Sequence, residues 1–179
     1  MSYNPTTHHR RSIRLKGYDY SQAGLYLVTI CCQNRVCHFG KIENGGMILN
    51  NIGKISQQCW LEIPKHFPDA KLHEYVVMPN HIHGIIELVG AKNFSPLRPH
   101  GTSRTIGSII RGFKIGVTKQ LGVSIWQRNY YEHVIRNERS HQNISNYVVN
   151  NPAKWQNDKF YEDVFGRNEK FFAPTCRIK

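Results

Sequence analysis

The alternation of apolar and polar positions predicts strands in four parts of the chain. The β-branched and aromatic run at residues 25–32 (LYLVTICC) is typical of a strand. Residues 40–49 contain the turn sequence ENGG, which favours a short hairpin. Residues 75–78 and 81–89 predict two more strands, and they must be antiparallel because only Pro79 and Asn80 separate them. A last strand is expected at 124–136, which is rich in aromatic and β-branched residues.

Three segments carry the 3.6-residue apolar period of a helix. The first follows a capping Asn50 or Asn51 and is expected to end at Pro64, the second spans about 104–121, and the third spans about 138–150. The apolar stripe of the first helix consists of Ile52, Ile55, Cys59 and Ile63. The stripe of the second helix consists of Ile106, Ile110, Phe113, Val117 and Leu121, and Gly122 follows it. The third helix has Asn137 before it and Pro152 after it as end signals.

This order of elements predicts an α+β fold, a ferredoxin-like antiparallel sheet with helices packed on it. The length of 179 residues fits one domain. We expect a flexible basic arm over residues 1–20, a folded domain over 21–153 and an aromatic tail over 154–179.

The charge balance indicates a polyanionic partner. There are 24 Lys and Arg against 12 Asp and Glu, a net charge of +12, and such a field favours nucleic acid over a neutral ligand. The alternative is a soluble protein that is merely basic. We expect no membrane span and no secretory signal, because no apolar run is long enough. The five cysteines fit neither a zinc nor a disulfide framework, which favours reduced thiols in the cytoplasm.

Basic residues concentrate in two places that would grip DNA phosphates. One is the N-terminal arm, and the other is the second helix with the loop before it, where residues 90–121 hold six Lys and Arg and no acidic residue. A solvated helix face is the alternative. The candidate DNA-binding residues are Arg10, Arg11, Arg14, Lys16, Arg104, Arg111, Lys114 and Lys119.

His81 and His83 are candidate metal ligands. They flank Ile82 on a predicted strand, so both imidazoles lie on one face and Ile82 on the other. Two adjacent imidazoles form half of a divalent-metal site. In a chain with ten histidines, a chance pair is the alternative.

Tyr147 is a candidate nucleophile on the third helix. It shares a helix face with Asn143 and Asn151, at spacings of four residues, and a phenolate can form a covalent intermediate. On the residues alone, a tyrosine packed against the sheet is the stronger interpretation. Tyr130 and Tyr131 are weaker candidates for the same role.

Three stretches resemble the HUH single-tyrosine transposases, and within them the REP-associated tyrosine transposases. Residues 76–84 (VVMPNHIHG) are similar to the HUH motif, in which two histidines flank a hydrophobic residue. Residues 126–137 (WQRNYYEHVIRN) and 146–152 (NYVVNNP) resemble the segment before the catalytic helix and the helix end that carries the nucleophile. The openings at 14–19 and 26–30 also match, so the resemblance covers about residues 10–155.

The resemblance implies a site and a reaction. His81 and His83 match the metal ligands, Tyr147 the nucleophile and Asn151 a polar third ligand, which is a Gln in the insertion-sequence relatives. The metal would be Mg²⁺ or Mn²⁺. The implied reaction is cleavage and rejoining of single-stranded DNA, at hairpin sites, through a 5′-phosphotyrosine intermediate, with the HUH motif on a central strand.

Other functions stay open at this point. One is a domesticated relative that binds hairpin DNA or RNA without cleavage, and another is a metal-dependent phosphoesterase acting on small nucleotides. The oligomeric state is open as well, since insertion-sequence relatives act as homodimers that exchange the tyrosine helix, while REP-associated relatives can act alone.

Overall fold

The structure, a computed structural model, describes residues 22–89 and 105–161. Within these ranges the chain folds into a mixed α/β domain, with two short 3₁₀ segments at Gln33–Arg35 and Pro152–Asn157. The other elements are β1 (Gly24–Cys31), β2 (Gly40–Glu43), β3 (Gly46–Leu49), α1 (Asn51–Leu61), α2 (Ile63–His66), β4 (Ala70–Val77), β5 (His81–Leu88), α3 (Ile106–Leu121), β6 (Tyr131–Ile135) and α4 (Glu138–Val149).

Four strands form one antiparallel sheet in the order β4-β5-β1-β6. Strand β5 lies in the middle, bonded to β4 on one side and to β1 on the other, with Cys31 opposite His81 and Thr29 opposite His83. Strands β2 and β3 pair separately as the predicted hairpin. The α+β class and the central position of the strand that carries His81 and His83 are thus confirmed.

The two faces of the sheet have separate cores because side chains alternate along each strand. Helices α1 and α3 pack on the first face, where Val28, Ile30 and Ile82 belong to the main core. Helix α4 packs on the second face, where Leu27 and Ile85 contact its Val148. The second face is also the face of His81 and His83.

Helix ends follow the sequence signals. The side chains of Asn50, Thr105 and Asn137 accept hydrogen bonds from backbone N–H groups in the first turns of α1, α3 and α4. Gly122 ends α3 with a φ of +71°, in the left-handed region that glycine adopts without steric cost.

Three predicted boundaries differ from the structure. The last strand occupies only Tyr131–Ile135 rather than 124–136, since the preceding residues make a single bridge, between Trp126 and Cys32. Strand β4 begins at Ala70 and not at Tyr75. Its first half contains several polar residues and lacks the pattern that predicts a strand. Pro64 stands at the start of α2, where a proline needs no N–H partner, so it opens a helical turn after α1 has ended.

Several expectations fall outside the described residues: the N-terminal arm with Arg10, Arg11, Arg14 and Lys16, the loop at 90–103, Arg104, and the tail beyond residue 161. Among the residues that are described, no helix combines the length and the apolar character needed to cross a membrane.

Candidate metal and tyrosine site

His81 and His83 lie side by side in the interior of the second sheet face. Their ring centroids are 4.4 Å apart, and both side chains are almost completely buried. Ile82 points to the opposite face and is fully buried in the main core. The alternation predicted from the sequence therefore produces a fixed pair of imidazoles.

Each imidazole is held by a hydrogen bond at Nδ1. Nδ1 of His81 lies 2.8 Å from Oδ1 of Asn80, and Nδ1 of His83 lies 2.8 Å from the hydroxyl of Thr29. The Asn80 oxygen can only accept, so Nδ1 of His81 carries the proton and Nε2 presents a lone pair. That Nε2 atom is buried and has no hydrogen-bond partner. Metal-ligating histidines are oriented in this way, through the ring nitrogen that does not bind the metal.

Burial keeps both imidazoles neutral. It lowers the pKa of His81 well below its ordinary value of 6.5, and the pKa of His83 to about 4. For His81 the neighbouring His83 acts in the same direction, while the nearby carboxylate of Asp158 partly offsets the effect on His83. Neutral imidazole is the form that binds a metal ion.

Tyr147 on α4 reaches this pair from the same chain. Its hydroxyl lies 3.2 Å from Nε2 of His83 and 3.5 Å from Oδ2 of Asp158. Burial, followed by the negative charge of Asp158, raises the pKa of Tyr147 to about 12. The side chain is nevertheless 42% exposed, so a substrate can approach its oxygen from solvent.

Asn151 lies just beyond the end of α4, and its side chain is buried. Its Nδ2 donates to Oδ2 of Asp158 at 3.1 Å, which fixes the orientation of the amide. Its Oδ1 is buried without a hydrogen-bond partner. Two unpartnered buried acceptors, His81 Nε2 and Asn151 Oδ1, are costly in a site without a cation, so this donor set fits a divalent metal ion.

Asp158 is the residue that sequence reasoning missed. It follows the Pro152–Asn157 segment, and its carboxylate and the two imidazoles each offer one ligand atom within 4.8 Å of the others. The residue lies in the stretch expected to be a tail, where no periodicity or motif singled it out. Only the return of the chain after α4 brings it to His83.

Arg35, Lys159 and Phe160 line one side of the site. The Phe160 ring lies 4.6 Å from the His81 ring, and the side chain of Asn80 donates to the backbone oxygens of Arg35 and Phe160. The guanidinium of Arg35 and the ammonium of Lys159 both lie over the Phe160 ring, at 5.6 and 4.9 Å. Positive charge therefore borders the histidines, although no sequence motif singles out these two cations.

The described members of the predicted DNA-binding set lie on α3, on the other sheet face. Arg111 and Lys119 are exposed. Lys114 instead donates to the backbone oxygens of Gln127 and Asn129, at 2.7 and 3.0 Å. Its ammonium therefore braces the segment before β6.

The weaker tyrosine candidates, Tyr130 and Tyr131, have other partners. Tyr130 donates to Glu132 at 2.8 Å, and Tyr131 is exposed beside Lys159. Of the three tyrosines considered from the sequence, Tyr147 is the one that the structure places against His83.

The chain resembles known proteins in sequence. No family model matches the chain. A Haemophilus influenzae protein named "Uncharacterized protein" is 48% identical over 176 residues, covering 90% of this chain and 98% of the relative. A second protein of that organism, named "Putative REP-associated tyrosine transposase", is 25% identical over 160 residues, covering 82% of this chain and 85% of its own length.

The fold has a solved counterpart. The structure of a REP-associated tyrosine transposase (RAYT) bound to a REP hairpin matches with a TM-score of 0.57 at 23% identity, over 79% of this chain and 74% of that one. The chain is RAYT-like in sequence and in fold. In the structure of this RAYT-like chain, the histidine pair, the tyrosine and the amide lie where β5, the end of α4 and the segment that follows come together.

Proposed function

We propose that this RAYT-like chain cleaves and rejoins single-stranded DNA at hairpins, with Tyr147 as the nucleophile and His81, His83 and Asn151 as ligands of Mg²⁺ or Mn²⁺. The observation that carries the proposal is the 3.2 Å contact between the Tyr147 hydroxyl and His83 Nε2, beside two buried acceptors that have no partner. The solved RAYT was bound to a REP hairpin, which supports the choice of DNA substrate.

A bound divalent cation would polarise a non-bridging oxygen of the scissile phosphate and reduce its repulsion of a phenolate. The protein residues supply the other requirements. Asp158 Oδ2, 3.5 Å from the Tyr147 hydroxyl, is the proposed acceptor of the phenolic proton. Because burial raises the pKa of Tyr147 to about 12, the phenol is protonated at neutral pH and its attack requires a proton acceptor.

The proposed reaction balances without an external energy source. The Tyr147 oxygen forms a bond to phosphorus, and the bond from phosphorus to the 3′ oxygen breaks. The 3′ oxygen takes up a proton, which leaves a 5′-phosphotyrosine and a free 3′-hydroxyl. Rejoining is the reverse attack by that hydroxyl, or by the hydroxyl of another strand.

Positive charge near the site would hold the DNA backbone. Arg35 and Lys159 border the histidines. Arg111 and Lys119 are exposed on α3, on the other sheet face, and would contact DNA only where it extends beyond the site. Because phosphate contacts release counterions, hairpin affinity should fall steeply as salt rises.

The test is a covalent-adduct assay with a labelled palindromic single strand and Mn²⁺. The wild-type chain should form an adduct that survives denaturing electrophoresis. Tyr147→Phe should form none while its hairpin affinity stays unchanged, and Tyr131→Phe, the matched control, should form the adduct normally. An adduct with Tyr147→Phe would eliminate this nucleophile. Salt-sensitive hairpin binding without an adduct in any metal would instead support the non-cleaving binding protein.

A further inference from the structure

An irregularity in β4 places two successive polar residues beside α4. Leu72 pairs with Ile86 and Tyr75 with Gly84, so His73 and Glu74 together oppose the single residue Ile85. An extra residue of this kind re-aims side chains that would otherwise alternate between faces. Both side chains accordingly reach partners on the second sheet face, the face that α4 covers.

His141 on α4 completes a cluster with these two residues. One ligand atom each from His73, Glu74 and His141 lies within 4.8 Å of the others. The His73 and His141 rings meet edge to face, with centroids 5.6 Å apart. Glu87 on β5 lies 2.9 Å from His73 Nε2 and holds that ring in place.

The His141 ring has a nitrogen without a hydrogen bond. Its Nε2 is buried and unpartnered, 3.9 Å from Oε2 of Glu74. The Ser145 hydroxyl donates to the same Glu74 oxygen at 3.0 Å. An unpaired imidazole nitrogen thus faces an oriented glutamate side chain.

We propose that His73, Glu74 and His141 form a second metal site, separate from the site at His81 and His83. Two imidazoles and one carboxylate are a donor set that suits Zn²⁺, Co²⁺ or Ni²⁺ better than Mg²⁺. Tetrahedral Zn²⁺ places neighbouring ligand atoms about 3.4 Å apart, given bond lengths of about 2.1 Å. The observed 3.9 Å between Glu74 and His141 therefore needs only a small contraction. Both histidines and Glu74 are partly exposed, so an ion can enter from solvent.

The charge around the cluster favours a cation over DNA. Only 12 residues of the chain are acidic, against 24 Lys and Arg. Three of the acidic residues, Glu74, Glu87 and Glu138, lie within 4 Å of the two histidines of the cluster. This concentration of negative charge repels phosphate and lowers the energy of a bound metal ion.

An ion in this position would fasten the tyrosine helix to the sheet. His141 lies six residues before Tyr147 on α4, about 9 Å along the helix axis. Its partners His73 and Glu74 belong to β4. A Zn²⁺ ion would therefore cross-link α4 to β4 and oppose local opening of the helix that carries Tyr147.

Zn²⁺ binding to full-length variants tests this site. The background is the double variant His81→Ala/His83→Ala, which removes the imidazoles of the first site, and the probe is Zn²⁺ alone in a calorimetric titration. The double variant should retain a Zn²⁺ site. Adding His141→Ala should weaken binding at least about 100-fold, whereas adding His66→Ala, an exposed histidine on α2, should not change it. Equal Zn²⁺ affinity with and without His141 would overturn the proposal.

Two further measurements keep the test decisive if the double variant folds poorly. In the otherwise wild-type chain, His141→Ala and Glu74→Gln should each remove one Zn²⁺ from the stoichiometry. Zn²⁺ should also slow amide hydrogen exchange in Glu138–Val149 more strongly in the wild-type chain than in His141→Ala, where only the first site can bind the ion. Unchanged stoichiometry, or equal protection of α4 with and without His141, would contradict the second site.

Discussion

The Tyr147 hydroxyl lies 3.2 Å from Nε2 of His83 within one chain. Helix α4 packs on the same sheet through Val148 and Ile144, so the tyrosine helix docks on its own domain. No residue of a second chain is needed to bring the phenol to the histidines. We therefore predict that the proposed nucleophile acts in cis.

Mixing of complementary variants tests this arrangement. Tyr147→Phe lacks the proposed nucleophile, and His83→Ala lacks a proposed metal ligand. Because both groups come from one chain, we expect an equimolar mixture to form no covalent adduct with a hairpin substrate and Mn²⁺. Adduct formation in the mixture, on the His83→Ala chain, would demonstrate exchange of α4 between two subunits.

The Thr29 hydroxyl should control metal affinity through His83. It contacts Nδ1 of His83 at 2.8 Å in a buried position. Thr29→Val keeps the shape but removes this hydrogen bond, so we expect Mn²⁺ affinity to fall about 10- to 100-fold and stability to fall by about 1–3 kcal/mol. Thr29→Ser retains the hydroxyl and should behave like the wild type in calorimetry. Equal loss in both variants would indicate packing rather than hydrogen bonding.

Asn151 and Asp158 should differ in their effect on the metal. We expect Asn151→Ala to lower Mn²⁺ affinity as strongly as His81→Ala, since the proposed ligand oxygen is lost. Asp158→Asn should weaken binding only about tenfold, because Asp158 orients the Asn151 amide at 3.1 Å, yet it should slow adduct formation by removing the proton acceptor. If Asp158→Asn abolishes Mn²⁺ binding and Asn151→Ala does not, the carboxylate is the third ligand.

How far the sequence predicts this molecule depends on the distance over which each signal acts. The strand of His81 and His83, the caps Asn50 and Asn137, and the glycine end of α3 are local signals, and the structure confirms the elements that they define. The contribution of Asp158 is not local. It depends on a chain reversal after α4, for which the sequence offers only Pro152 as a signal.

The irregularity at His73 and Glu74 escaped prediction for a related reason. An alternating pattern assigns successive residues to opposite faces, so two polar residues in a row read as a break in the strand. The pairing register with β5 determines which face each side chain of β4 occupies, and the sequence of β4 alone does not contain that register. The same reasoning explains why β4 was expected to begin at Tyr75.

Lys114 should make stability depend on pH in alkaline solution. Burial lowers the pKa of Lys114 to about 8 from an ordinary 10.5. Between these values the unfolded chain binds the proton and the folded chain does not, so stability attributable to this group rises with pH from about 8 to 10.5. Lys114→Met lacks the charge. The free energy of unfolding, measured by urea denaturation, should therefore rise in the wild type relative to the variant between pH 7 and pH 10. A constant difference would show that the ammonium stays charged in the folded chain.

Gly84 should tolerate no side chain. It lies on β5, the strand of His81 and His83, and faces Trp60. A Cβ at this position would approach Cζ2 of Trp60 to 2.2 Å and Cη2 to 2.7 Å. Trp60 is fully buried and packs edge to face on Phe113, so any movement of the ring would disturb the main core. We expect Gly84→Ala to lower the free energy of unfolding by about 1–3 kcal/mol, and to weaken Mn²⁺ binding because β5 shifts with His83. Gly46→Ala is the matched control, since its Cβ meets only an ordinary contact of 3.6 Å. Urea denaturation that gives the same midpoint for both variants would mean that the main core adjusts around Trp60 without strain.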